Sequence, residues 1–276
     1  NASALYRSTR FGNVMENDWN CLKPFGPNII KGRMTDKLIL GLQNIFATMK
    51  LKKTLTVKED ESSTLAGNIK REFALNQNVM DKDVSQEFIE CMKSGSSELY
   101  MENVNQEWNC QRDVVNNKHK EIVEKRLKEM ELELTVYSAW GNISVAGDFN
   151  PPHFHNYYRG NNQGSTLGGM SGVGYLKLPD GIEREWLLED HDPSAGMINF
   201  LDGRPALGSA HLFRTKPVVG DIYFFPAWLM HHVHPFRSDG ERWSFSFNID
   251  ISNVADDNGL TSSDKNQLIE ERKKYL

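Results

Sequence analysis

Five of the chain's eight histidines fall into two short groups, Pro-Pro-His153-Phe-His155 and Leu-Met-His231-His232-Val-His234-Pro. Imidazoles gathered in this way suit a transition metal, because each offers a nitrogen lone pair near neutral pH. In an extended segment, side chains two residues apart point to the same side, so His153 and His155 can present two rings to one ion. A third ligand from a distant strand would complete one face and leave other positions open, the arrangement that non-haem iron chemistry requires. His-x-His pairs also occur without any metal. The isolated His119, His191 and His211 are expected in ordinary polar roles.

The surroundings of the second group add to the signal. An aromatic stretch, Ile222-Tyr-Phe-Phe-Pro226, leads to His231, and Arg242 follows eleven residues after it. A keto acid that chelates iron through its 2-oxo and C1 carboxylate groups needs a fixed, bidentate cation for its far carboxylate. From Arg242 the residues alternate: Arg242, Ser244, Ser246, Asn248 and Asp250 on one face, Trp243, Phe245, Phe247, Ile249 and Ile251 on the other. An ordinary surface strand has the same alternation. Arg242 and Ser244 form a carboxylate clamp only if their face lines a pocket.

The elements that must position these groups divide the chain in two. Residues 1–131 read as a mainly helical region that packs on the second part. Leu38, Leu42, Ile45, Phe46 and Met49 recur at helical spacing after a cap at Thr35 or Asp36, and further helical patterns run over Leu65–Ala74, Val84–Met92 and Asp113–Glu131. From Leu132 short β-rich stretches alternate with Gly, Pro, Asn and Asp, as in an all-β barrel or sandwich. Strands are expected over Leu132–Ala139, Ser171–Leu178, Glu185–Glu189, Met197–Leu201, Gly220–Phe225 and Arg242–Ile251, with a charged helix from Thr261. The barrel region is thus 132–276.

Composition excludes other classes. With 32 Lys+Arg against 37 Asp+Glu the net charge is -5, and no basic stripe suits a nucleic acid. No apolar run approaches the roughly 20 residues that cross a bilayer, so a membrane is not an expected partner. Cys21, Cys91 and Cys110 form no CxxC pair and point to a reducing compartment. The expectation is a soluble intracellular protein, with no feature that fixes its oligomeric state.

Taken in order, Trp140-Gly-Asn142, Pro152-His153-Phe-His155, Ser171-Gly-Val-Gly-Tyr175-Leu, Gly196-Met-Ile-Asn-Phe200-Leu-Asp202-Gly-Arg204, Gly220-Asp-Ile-Tyr-Phe-Phe-Pro226, Trp228-Leu-Met-His231-His-Val233-His-Pro235 and Arg242-Trp-Ser-Phe-Ser-Phe-Asn248 resemble the signatures of the 2-oxoglutarate/Fe(II)-dependent oxygenase superfamily. The nearest branch is the bacterial and phage 2OG-Fe(II) oxygenase group, distantly similar to prolyl hydroxylases. The resemblance covers about Leu132 to Ile251. It implies an α+β protein built on a double-stranded β-helix, the jelly-roll or cupin-like barrel, with a packed N-terminal helical layer. It implies an enzyme using Fe(II), 2-oxoglutarate and O2, with His153, His155 and His231 as catalytic metal ligands. Arg242, Tyr175, Ser244 and Asn248 are the implied cofactor-binding residues.

Two features depart from the superfamily pattern. Its second ligand is usually Asp or Glu, whereas His155 stands here; Asp148 lies too close before His153 to replace it, and Asp202 belongs to another strand. The segment between His155 and Ser171, Asn156–Met170, is long and rich in Gly and Asn, and reads equally as a lid and as a plain surface loop. Tyr157, Tyr158 and Arg159 from this loop, and Lys177 from the strand of Tyr175, are candidates to meet substrate, a small amino-acid-derived carboxylate in preference to a peptide. Two other readings fit the same histidines. A cupin metal dioxygenase or isomerase would not use 2-oxoglutarate and would leave Arg242 without a role. A non-catalytic jelly-roll binding protein would show no iron-dependent turnover.

Overall fold

The α1 helix, Asp36–Leu51, begins where the sequence places it, with the Thr35 hydroxyl accepting a hydrogen bond from the Leu38 amide at 3.2 Å. That cap satisfies one of the amides left unpaired at a helix start. The face of Leu38, Leu42, Phe46 and Met49 is buried. The structure, a computed structural model, describes residues 26–56, 59, 67–69, 71–111, 132–155, 169–188, 193–203 and 211–253. The expected helices at Asp113–Glu131 and from Thr261 lie outside the described residues.

The second helix, α2 (Lys82–Gln111), extends well past the pattern at Val84–Met92. Both helices cover a six-stranded antiparallel sheet of order β1-β8-β5-β10-β3-β2, formed by Ile30–Arg33, Asp221–Pro226, Gly169–Lys177, Arg242–Asn253, Leu132–Ser144 and Glu72–Ala74 respectively. A four-stranded sheet, β4-β9-β6-β7, is formed by Asn150–His153, Met230–Val233, Ile198–Leu201 and Leu212–Thr215. Together the sheets make the double-stranded β-helix that the sequence implies, in an α+β protein.

The alternation in β10 separates two environments. Trp243, Phe245, Phe247 and Ile249 join Phe46, Phe73, Phe88 and Met92 in a core between the helices and the large sheet. Val173, Tyr175 and Tyr223 of the large sheet meet Ile198, Phe200 and Leu229 in a second cluster inside the barrel. Each fully buried Phe contributes about 2 kcal/mol of apolar burial, so the helix-side cluster is a major stabilising layer. Glycines make room for it: a Cβ on Gly172 would lie 2.1 Å from the Phe247 ring, and one on Gly174 2.4 Å from Phe245.

Two local expectations are overturned. Leu65–Ala74 was expected to be helical, yet Glu72–Ala74 is a buried strand paired with Asn142–Trp140 of β3; residues 60–66 and 70 are not described. Phe73 there meets Phe46 edge to face at 4.8 Å, so tertiary packing outweighs the local helical pattern. Glu185–Glu189 was expected to be a strand, but Ile182–Glu185 is a single helical turn and Glu189 is outside the described residues. The Glu185 carboxylate accepts from the Arg237 and Ser238 amides and from the Ser238 hydroxyl, a use that requires it to turn toward that loop.

Candidate active site

His153 on β4 stands directly opposite His231 on β9, and their ring centroids are 4.4 Å apart. His155 follows the end of β4, where its amide donates to the Ala227 carbonyl at 2.9 Å and so ties it to the turn before β9. Its ring lies 5.3 Å from His153 and 5.2 Å from His231. One nitrogen from each of the three rings falls within 4.8 Å of the others, a spacing that could hold one metal ion.

The protons on two rings follow from their partners. The Nδ1 atoms of His153 and His231 lie 2.7 and 2.8 Å from the Pro151 and Leu229 carbonyl oxygens. A carbonyl only accepts, so each Nδ1 carries hydrogen, and in the neutral ring the lone pair is on Nε2. Burial pushes the His231 pKa down to about 3 and that of His155 down to about 4, with the neighbouring His153 acting in the same direction. Both rings are therefore neutral at pH 7, the state that binds a metal. Among the described residues no carboxylate joins the cluster. Asp148 instead accepts from the Val145 amide at 2.9 Å.

The cavity beside the histidines, about 250 Å³, is also lined by Arg242, Tyr175 and Ser244. Arg242 is 2 % exposed. It donates to the Gly196 carbonyl at 3.0 Å and the Ser144 hydroxyl at 3.3 Å, while its Nε has no partner. No carboxylate of the described residues is in ion-pair range of it. Burial lowers its pKa, opposed by Tyr175 and Asp148, but an arginine remains charged. Withdrawing such a cation from water costs several kcal/mol unless an anion joins it. Gly196, at φ +65°, brings its carbonyl to the guanidinium; a Cβ there would lie 2.9 Å from Ile182 and 3.7 Å from the arginine. Burial pushes the Tyr175 pKa up, with Arg242 opposing, so its hydroxyl stays protonated and able to donate. Ser244 pairs with Tyr175 on one side and Asn142 on the other.

Other expected residues lie elsewhere. Asn248 accepts from the Ser171 hydroxyl at 2.7 Å and donates to Ser138 at 3.0 Å, tying β5, β10 and β3 together without lining the cavity. Lys177 also stays out of it, with its ammonium 4.8 Å from the Trp243 ring centre and 3.7 Å from the Glu241 carboxylate. Tyr157, Tyr158 and Arg159 lie outside the described residues. The lining includes Trp140, Asn142, Asn150 and Phe154, which the sequence reading gave no role. Their signal was the alternation of Trp140 and Asn142, two apart on a strand opposite Ser246 and Ser244. A larger cavity, about 470 Å³, includes His211, Phe213 and Tyr223 but none of the three clustered histidines.

The antiparallel barrel thus brings three imidazoles that could hold a metal ion and a buried arginine, without an ion-paired carboxylate among the described residues, to one cavity. Residues 138–248 match the family described as "Putative 2OG-Fe(II) oxygenase". No curated protein matches the chain. Similar solved structures include a Pseudomonas putida prolyl-4-hydroxylase, 12 % identical, with 80 % of this chain and 92 % of that one covered at a TM-score of 0.45. Another is the viral collagen prolyl hydroxylase of Paramecium Bursaria Chlorella virus-1 in its 2OG complex, at 14 %, 80 %, 94 % and 0.39 on the same measures. HygX from Streptomyces hygroscopicus, with nickel and 2-oxoglutarate bound, gives 13 %, 81 %, 82 % and 0.41.

Proposed function

We propose that His153, His155 and His231 hold the Fe(II) of this oxygenase, and that Arg242 grips the far carboxylate of 2-oxoglutarate, with Tyr175 and Ser244 as further donors to it. The reading is carried by one observation: a buried guanidinium with an unpaired Nε lines the same cavity as the three imidazoles. The donor set fits the groups it is asked to hold. Imidazole suits ferrous iron, and a planar cation suits a carboxylate. When bound, Fe(II) and 2-oxoglutarate supply the oxidising power, as O2 is reduced and the keto acid loses CO2 to become succinate.

The chain's own residues bind and orient. The Pro151 and Leu229 carbonyls fix the ring orientations of His153 and His231. Gly196 and Ser144 fix the guanidinium. Val173, Ile198, Phe225 and Val233 give the cavity apolar walls that keep water from the reacting carbon. The substrate in this reading is a small, amino-acid-derived carboxylate, oxidised at an unactivated C–H bond by hydroxylation, desaturation or oxidative cyclisation. A volume of about 250 Å³ favours a small molecule, since pockets for drug-sized ligands run from about 300 to 1,000 Å³. Lys177 lends no support to the carboxylate, because it is engaged with Glu241.

The test is an anaerobic titration of the Fe(II)-loaded protein with 2-oxoglutarate, following the visible charge-transfer band of the chelate. A saturable band is expected in the wild type, absent in His231→Ala and weakened at least ~100-fold in Arg242→Ala, on the scale of a lost buried ion pair of roughly 3 kcal/mol. No band in the iron-replete wild type would reject the reading. Succinate release with amino-acid derivatives against peptides then tests the substrate class.

A further inference from the structure

Two histidines of the second cluster do not face the cavity. Along β9, His231 and Val233 line it, so the intervening His232 turns to the outer face of the four-stranded sheet, and His234 beyond the strand turns the same way. There His232 is in register with Asn199 of β6, which is 2 % exposed. The Asn199 Nδ2 lies 3.2 Å from His232 Nε2 and 2.6 Å from His234 Nε2, and the two rings are 4.6 Å apart. One amide nitrogen can donate to both only if both Nε2 atoms are unprotonated. With the amide in this orientation two imidazole lone pairs converge on one point, while the Asn199 Oδ1 is buried without a partner.

We propose that this outer face is a second metal site, in which His232 and His234 bind a borderline divalent cation such as Zn(II), Ni(II) or Cu(II), with the Asn199 carboxamide oxygen as third ligand. The two ends of a carboxamide have the same shape. A half-turn of the Asn199 amide places Oδ1 where Nδ2 now sits, beside both ring nitrogens. An N,N,O set selects these ions over Mg(II) and Ca(II), which take oxygen ligands. Both rings are partly exposed, so water can complete the coordination shell. Arg214, in register with Asn199 on β7, brings a positive charge near His232 and opposes the cation. Because His231 and His232 are consecutive, a metal here would anchor β9 from behind the candidate iron ligand.

The site does not depend on the iron assignment, and its test counts metal, not turnover. Metal-free protein is dialysed against Zn(II) and the bound equivalents are measured. His232→Ala/His234→Ala is expected to lose one equivalent relative to the wild type while keeping the band that Fe(II) and 2-oxoglutarate give. His153→Ala/His231→Ala should retain the outer equivalent. Arg214→Ala should tighten outer-site binding several-fold, which a purely structural Asn199 clip would not do. Equal zinc content in the wild type and His232→Ala/His234→Ala, with circular dichroism showing both folded, overturns the proposal. Loss of the 2-oxoglutarate band in the wild type would bear only on the oxygenase reading.

Discussion

Arg242 is buried as a cation, and His155 and His231 are buried as neutral rings. His155 and His231 have pKa values near 4 and 3, against roughly 6.5 in an unfolded chain. Over that window the unfolded state binds more protons, so the contribution of these groups is complete above about pH 6.5 and is lost as pH falls toward their folded values. Each histidine can contribute a slope of up to about 1.4 kcal/mol per pH unit. We expect urea unfolding of the metal-free protein to show a clear loss of stability from pH 7 to pH 5, reduced in His231→Gln. Identical pH dependence in wild type and variant would contradict the burial argument. The clustering of His153 with His155 was legible in the sequence because residues two apart in an extended segment face the same side. Lys177 was not, and the reason is a bulge. Tyr175 and Lys177 pair with the consecutive residues Ser244 and Trp243, so Leu176 is extra and the two side chains part to opposite faces. Counting by twos from Tyr175 cannot reveal that.

Among the elements, β10 was read correctly because its period-two pattern runs unbroken from Arg242 to Ile249 and each face has its own environment. The strands β4, β7 and β9 were missed as strands. Each has four residues, and β4 contains Pro151 and Pro152, which donate nothing to a ladder. Their pairing comes from distant partners, which no local pattern displays. The β5 strand shows how closely the strands of the large sheet are fitted to one another. A Cβ on Gly172 would lie 2.1 Å from the Phe247 ring and 2.4 Å from the Tyr223 carbonyl oxygen. The ring can shift, but the carbonyl belongs to the paired strand β8 and cannot. Gly172→Ala should therefore destabilise by about 1–3 kcal/mol, the usual cost of overpacking. Phe247→Leu should not restore it, since the backbone clash remains. Chemical denaturation of the single and double variants checks both; full rescue would place the whole conflict at the ring.

For the whole molecule, the change in texture at Leu132 marks where the barrel motifs begin, and the large sheet reaches back across it. β1 and β2 come from the first 131 residues and pair with β8 and β3 at its two edges. Lys31 and Arg33 of β1 add ion pairs to the buried Asp221 of β8. α1 and α2 supply Leu38, Leu42, Phe46, Phe88 and Met92, against which Phe245, Phe247 and Ile249 are buried. A fragment of residues 132–276 would keep every candidate site residue yet expose that apolar face of β10 and leave two sheet edges unpaired, both routes to aggregation. We expect it to lack a cooperative thermal transition and to bind the apolar dye ANS, although its strands carry the family match. A fragment that melts cooperatively and binds one equivalent of Fe(II) would mean that the barrel is autonomous and the helical layer is an addition to it. The expected failure would mean that the geometry of the three histidines depends on helices that contribute no ligand. The helices would then serve catalysis by holding the large sheet, and through it Arg242, against the strands that carry His153 and His231.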